Sequence, residues 1–155
     1  TDGYLFRPED LVIPDGTVEA LQKLKDAGYL LIVVTNQAGI AKGLYSREDV
    51  WRCHEFFQQQ CGHLLDELYF CPHHPEHTTA SLLRKPDSLM LEKAMAKHRI
   101  DRHRSWMIGD RERDVLAGRK AGVRTIRIAH QPYETAPLGE HTTRSLLEAS
   151  AVVVG

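Results

Sequence analysis

Net charge is almost absent from this sequence. Twenty Lys and Arg stand against 21 Asp and Glu, which leaves −1 with nine histidines neutral. That balance excludes a nucleic-acid binder that works through a bulk positive field, and equally a polybasic membrane-surface domain. Long apolar runs are absent too. The longest, Tyr29 to Val34, has six residues, far short of a bilayer span. Cysteine is scarce: Cys53, Cys61 and Cys71 form no even, closely spaced framework and read as reduced thiols. No charged-then-apolar leader, internal repeat or low-complexity segment is visible. These absences lead us to expect a cytoplasmic protein, monomeric, with no membrane and no nucleic-acid partner. The chain opens on Thr1 and closes on the apolar stretch Ala151 to Gly155, and both ends read as cut.

Apolar residues at 42% and charged residues at 26% are those of an ordinary globular protein. A length of 155 residues suits a single domain spanning 1–155 with a sizeable core. Helix and strand patterns alternate along it. Val18, Ala20, Leu21 and Leu24 share one face of a helix over Thr17 to Ala27, with Gly28 as its stop. The run Leu30 to Val34, apolar without alternation, predicts an interior parallel strand. Ser46 and Asp49 resemble a capping box ahead of a helix through Val50, Cys53, Phe57, Cys61 and Leu64. Strands are predicted at Leu68 to Cys71, Ser105 to Ile108 and Val123 to Ile128, and helices at Leu89 to His98 and Glu112 to Ala121. After Pro132 and Pro137 the pattern predicts a short helix, Ser145 to Ala149, and a strand, Val152 to Val154. Cys53, Cys61, Trp51 and Trp106 read as packing residues. Strands separated by single helices predict an α/β fold, a doubly wound, Rossmann-like parallel sheet.

Ligands of such sheets sit beyond the carboxyl ends of the strands. Three groups fall there. Thr35-Asn36-Gln37, on a loop with Gly39 and Gly43, offers a hydroxyl, amides and backbone N–H groups to an anion; alternatively, Thr35 merely caps its strand. Arg84-Lys85 stand before Pro86-Asp87-Ser88 at the positive end of a helix, where a phosphate would bind; alternatively, they are a solvated pair. In Gly109-Asp110-Arg111-Glu112-Arg113-Asp114, the glycine lets the chain turn and throws Asp110 forward as a hard ligand for Mg²⁺, while Asp114 can hydrogen-bond the loop. The alternative is Asp110 as a plain helix cap. A hydroxyl, cations and a metal-binding carboxylate on one sheet edge are what phosphoryl transfer needs. A nucleophilic Asp would complete the set. Neither Tyr4-Leu5-Phe6 nor Leu11-Val12-Ile13 leads into an acidic pair.

The order of Val33-Val34-Thr35-Asn36-Gln37-Ala38-Gly39-Ile40-Ala41-Lys42-Gly43, Cys71-Pro72-His73-His74-Pro75, Arg84-Lys85-Pro86 and Ile108-Gly109-Asp110 resembles the haloacid-dehalogenase (HAD) superfamily. It most resembles the branch of heptose-bisphosphate and histidinol-phosphate phosphatases, over nearly the whole chain. The resemblance implies a Rossmann-like sheet with a minimal cap or none, and an Asp-x-Asp pair as nucleophile and general acid/base. It implies that Thr35 and Lys85 are catalytic, holding the phosphoryl oxygens and steadying the nucleophile. It implies that Asp110 binds Mg²⁺ with Asp114 in support, and that Asn36, Gln37, Arg84 and Arg111 contact a small phosphorylated metabolite.

Two departures matter. The Asp-x-Asp strand, central in that family's sheet, would lie upstream of Thr1-Asp2-Gly3-Tyr4. Residues 1–155 alone are therefore expected to fold poorly and to turn over little substrate. Many relatives also hold a structural Zn²⁺ with Cys-x-His and a later Cys-x-Cys. Here Cys71 and His73 remain while the later pair falls on Ser81 and Leu83, so no zinc is expected. The expected activity is Mg²⁺-dependent hydrolysis of a phosphate monoester, first of all D-glycero-D-manno-heptose 1,7-bisphosphate. Histidinol phosphate, a polynucleotide 3′-phosphate and a non-catalytic phosphate-binding role are the alternatives.

Overall fold

The computed structural model describes residues 7–74, 81–129 and 140–155. Helices end at or just before a left-handed residue, and two of them begin on a serine cap. Helix α1 (Thr17–Asp26) turns Ala20, Leu21 and Leu24 into the core and stops ahead of Gly28, whose φ is +92°. Helix α2 (Arg47–Gln60) opens on a reciprocal capping box. The Asp49 N–H donates to Ser46 Oγ at 3.2 Å, and the Ser46 N–H donates to the Asp49 carboxylate at 2.8 Å. Helices α3 (Leu89–His98) and α4 (Glu112–Ala121) follow, the latter closed by Gly122 at φ +81°. Helix α5 (Leu146–Val154) starts where Ser145 Oγ accepts from the Glu148 N–H.

The strands are β1 (Ile32–Asn36), β2 (Glu67–Cys71), β3 (Trp106–Gly109), β4 (Arg124–Ile128) and β5 (His141–Thr143). Every pairing is parallel, as the alternating order requires. The pairings form two ladders, β1-β2 and β3-β4-β5. Leu31 and Gln37 make their backbone bonds to the β2 side, through Asp66 and Cys71. By the alternation of a parallel strand, the Val34 carbonyl therefore points to the opposite edge of β1, toward β3. Between the two ladders runs a groove of about 820 Å³, walled by residues 30–35 on one side and 105–110 on the other. Leu21 and Leu24 of α1 and Leu91, Ala94 and Met95 of α3 also line it.

Several expectations need correction. Helix α2 ends at Gln60, with Cys61 as its cap, so Leu64 lies beyond it. Val152 to Val154 is not a strand. The helix from Ser145 runs on through it, because Val153 and Leu146 pack on the cluster of Leu21, Leu24, Leu31, Cys61 and Leu65 and so bind α5 to α1. Tertiary packing overrides the β-propensity of three valines. The final strand is instead the polar His141–Thr143, whose partners are Ile126 to Ile128. The apolar run at 30–34 does form a strand, but each β1 residue is only partly buried, because one edge faces the groove. Leu11 to Ile13 is irregular, with Val12 83% exposed. Cys61 is core, and burial pushes its thiol upward. Trp51 is half-exposed, edge-on to Phe70 and His54, and so is not core packing. Among the described residues no helix is long and apolar enough to cross a membrane.

Helix α4 approaches β3 and β4 most closely at Gly118, where an added Cβ would sit 2.6 Å from Met107 Cβ and 2.9 Å from Thr125 Cγ2. Alanine is the better helix former, yet here its methyl forces helix and sheet apart. Gly118→Ala is expected to lower unfolding free energy by about 1–3 kcal/mol in denaturant titration, as overpacked cores do. An unchanged or raised stability would show that this close approach does not constrain the fold.

Candidate active site

At the carboxyl end of β1, Thr35 stands opposite Phe70 and leads into the turn 37–43. The Gln37 N–H donates to the Cys71 carbonyl at 2.7 Å and carries the ladder one residue past the strand. Gln37 Nε2 donates to Thr35 Oγ1 at 3.3 Å, and the Tyr45 hydroxyl donates to Gln37 Oε1 at 2.5 Å. Asn36 turns the other way. Its Oδ1 accepts from the Lys85 N–H at 3.0 Å, and its Nδ2 donates to the Lys85 carbonyl at 3.2 Å. One amide thus clasps the backbone of a residue 49 positions along the chain.

Lys85 is not a solvated charge: it is only 8% exposed. Its Nζ donates to Asp114 Oδ1 at 2.5 Å and to the Val34 carbonyl at 3.0 Å, on the groove edge of β1. Arg84 is half-buried, and its Nη1 reaches the His73 carbonyl at 3.4 Å.

The third group follows β3. Gly109 is required there, since any Cβ would lie 2.3 Å from Asp114 Cβ. The loop therefore lies directly on the Asp114 side chain, and Asp114 Oδ2 accepts from the Arg111 N–H at 3.1 Å. Arg111, not Asp110, occupies the cap position of α4, so Asp110 is not the helix cap. Asp110 lies exposed at the mouth of the groove, and Arg111 is exposed beside it.

Thr35, Lys85, Asp110 and Asp114 all line the same groove. Asn36, Gln37, Arg84 and Arg111, also expected at the site, are not among the residues that line it. Among the described residues no three His, Cys, Asp or Glu side chains gather around one point. Asp114 is committed to Lys85, which leaves Asp110 as the hard carboxylate at the rim. That fits Mg²⁺, which takes one or two carboxylates, waters and a phosphate and needs no closed protein cage. Of the residues weighed for zinc, Cys71, His73, Ser81, Leu83 and the substitute His74 are described, and the other substitute, His77, lies outside the described residues.

Tyr45 is the residue the sequence reading missed. It sits in the core at 7% exposure. A buried tyrosine needs a partner for its hydroxyl, and polar Gln37 eight residues earlier was the available signal.

Comparison with known proteins bears on the family and the fold. A family model described as HAD-hydrolase-like matches residues 82–149. A Burkholderia mallei D-glycero-alpha-D-manno-heptose-1,7-bisphosphate 7-phosphatase is 42% identical, over 80% of this chain and 70% of its own length. The D-glycero-beta-D-manno-heptose-1,7-bisphosphate 7-phosphatase of Haemophilus ducreyi is 37% identical, over 79% of this chain and 72% of its own. This chain belongs to the heptose-bisphosphate phosphatase branch of the HAD superfamily. Among solved structures, the D,D-heptose 1,7-bisphosphate phosphatase of B. bronchiseptica, complexed with magnesium and phosphate, superposes at a TM-score of 0.88 and 21% identity. It covers 99% of this chain and 90% of that one. A HAD-like phosphatase from Mesorhizobium loti reaches 0.85 at 24% identity, over 99% and 78%. Both share the α/β fold of parallel strands described above.

Removing either half of the Lys85–Asp114 pair strands the other as a buried charge. Lys85→Met and Asp114→Leu are each expected to cost about 3–5 kcal/mol in denaturant unfolding, and the double substitution clearly less than their sum. Additive losses would mean that the two side chains do not act as a pair.

Proposed function

We propose that this protein is a Mg²⁺-dependent phosphatase that hydrolyses a phosphate monoester of a small phosphorylated metabolite, first of all D-glycero-D-manno-heptose 1,7-bisphosphate. The observation that carries the reading is the convergence of Thr35, Lys85 and Asp110 on one groove at the strand ends. The names of relatives 37–42% identical over about four-fifths of the chain supply the substrate. Thr35 donates its hydroxyl hydrogen to a phosphoryl oxygen. Lys85 holds its ammonium toward the nucleophile and the phosphate, oriented by Asp114 and by the Asn36 clasp. Arg84 and Arg111 meet the substrate's outer oxygens. Asn36 and Gln37 each spend one N–H within the protein and keep the second for the substrate. Asp110 holds Mg²⁺, which neutralises charge on the phosphoryl group.

The attacking carboxylate is the remaining part. In this proposal it belongs to an Asp-x-Asp strand outside residues 1–155, lying in the groove between β1 and β3. There it hydrogen-bonds both open edges and delivers its carboxylates beside Asp110 and Lys85. The first Asp attacks phosphorus as the ester P–O bond breaks, and the second gives the leaving alkoxide its proton. Water then hydrolyses the aspartyl-phosphate. Action as a cytoplasmic monomer belongs to the same proposal; that Cys53, Cys61 and Cys71 form no disulfide supports the compartment.

Phosphate release decides it. A polypeptide carrying residues 1–155 behind an upstream Asp-x-Asp strand should hydrolyse the heptose bisphosphate with Mg²⁺. It should leave histidinol phosphate and a 3′-phosphorylated oligonucleotide nearly untouched. Residues 1–155 alone should release little. Robust turnover by residues 1–155 alone would remove the external nucleophile. Preference for the oligonucleotide, falling steeply with salt, would reassign the substrate.

A further inference from the structure

The Tyr45 hydroxyl has a role beyond packing. Its ring is fixed from several sides, by Val50 and Leu68 in the core and by Val33, Ile40 and Phe70 around them. Gly39 lays the turn's backbone against the ring: a Cβ at that position would meet Tyr45 Cε1 at 2.5 Å and the hydroxyl oxygen at 2.9 Å. The Leu44 N–H donates to the Gly39 carbonyl and closes that turn. Gln37 is held at its backbone by Cys71. The phenol oxygen and the Gln37 amide are therefore set in one geometry before any ligand arrives.

We infer that Tyr45 is a positioning residue, which orients Thr35 for phosphate through Gln37. An amide side chain has two faces of nearly equal shape, one accepting and one donating. Because the Tyr45 hydroxyl donates to Gln37 Oε1, the amide must turn Nε2 toward Thr35 Oγ1. A threonine hydroxyl has one hydrogen and can accept as well as donate. Once Gln37 donates to it, its own hydrogen must be spent elsewhere. Without ligand it reaches the Asn36 carbonyl at a long 3.3 Å, a contact that a phosphoryl oxygen readily replaces. If the phenol is removed, nothing opposes reversal of the amide. Oε1 then captures the Thr35 hydrogen, and the site loses its donor. Tyr45 touches no substrate and acts on the reaction only through this relay. The effect grows as charge builds on the phosphoryl oxygens, so it should appear in kcat more than in KM.

This inference rests on the phosphatase reading, and the experiment has two arms so that the two can fail separately. In the first arm, turnover is measured for a polypeptide carrying residues 1–155 behind the upstream Asp-x-Asp strand. Tyr45→Phe, which keeps the ring against Gly39, should lower kcat about tenfold, the scale of one lost hydrogen bond, with KM little changed. In a Thr35→Val background the same substitution should cost nothing further. Equal loss in both backgrounds would make Tyr45 a structural residue and overturn the relay. In the second arm, the Gln37 side-chain amide resonances of the same polypeptide are compared with and without Tyr45→Phe. They should move strongly and exchange between two orientations. Unmoved resonances overturn the relay whatever the activity. If the unsubstituted polypeptide hydrolyses no phosphate ester, the phosphatase reading fails, and this second arm still decides whether Tyr45 orients Gln37.

Discussion

An ammonium in a protein interior has to be neutralised and hydrogen-bonded, and much of this structure follows from how that is done for Lys85. Its charge is met by Asp114 at the start of α4, and a further hydrogen bond goes to the Val34 carbonyl in β1. Its backbone is held on both sides by the Asn36 amide. One residue therefore joins three distant parts of the chain: the end of β1, the loop before α3 and the turn after β3. The pair is buried, so it contributes little net stability over an apolar replacement while making each partner indispensable to the other. Such a device suits positioning better than strengthening. Gly109 belongs to it as well, because the loop carrying Asp110 can lie against Asp114 only without a side chain.

The division into two ladders makes sense beside that constraint. Backbone edges that face each other unpaired across a groove ordinarily cost free energy or attract another strand. Here the groove is walled by apolar side chains from α1 and α3 and ends at the polar rim of Thr35, Lys85 and Asp110. At one point an open edge is already occupied, since Lys85 takes the Val34 carbonyl. A strand running parallel through this space would pair with both sides. It would emerge where Thr35, Lys85 and Asp110 stand.

Much of this was legible in the residues themselves. Caps located the helix starts and glycines two of the ends: Ser46 with Asp49, Gly28 and Gly122 behave as their chemistry dictates, whereas the helix expected through Leu64 stops at Gln60. Position relative to strand ends singled out Thr35, Lys85 and Asp110, because a parallel sheet puts those ends on one side. What escaped was set by contacts distant in sequence. Three terminal valines became helical because α1 offers them a surface, and the last strand is too short and polar to announce itself. The clasp by Asn36 spans 49 positions, and no local pattern reveals it. Tyr45 was overlooked because an aromatic residue just ahead of a helix cap carries no local sign of a site, and its bond to Gln37 appears only in the folded chain.

The account stands or falls on whether Thr35, Lys85 and Asp110 form one phosphate site. The most direct measurement is a residue-resolved NMR titration, with inorganic phosphate in the presence of Mg²⁺, of a polypeptide carrying residues 1–155 behind the upstream Asp-x-Asp strand. Signals from the three residues should move together and give a single dissociation constant, while those at the packed contact of α1 with α5 stay in place. Responses of the three at unrelated concentrations, or a response centred elsewhere in the molecule, would contradict it.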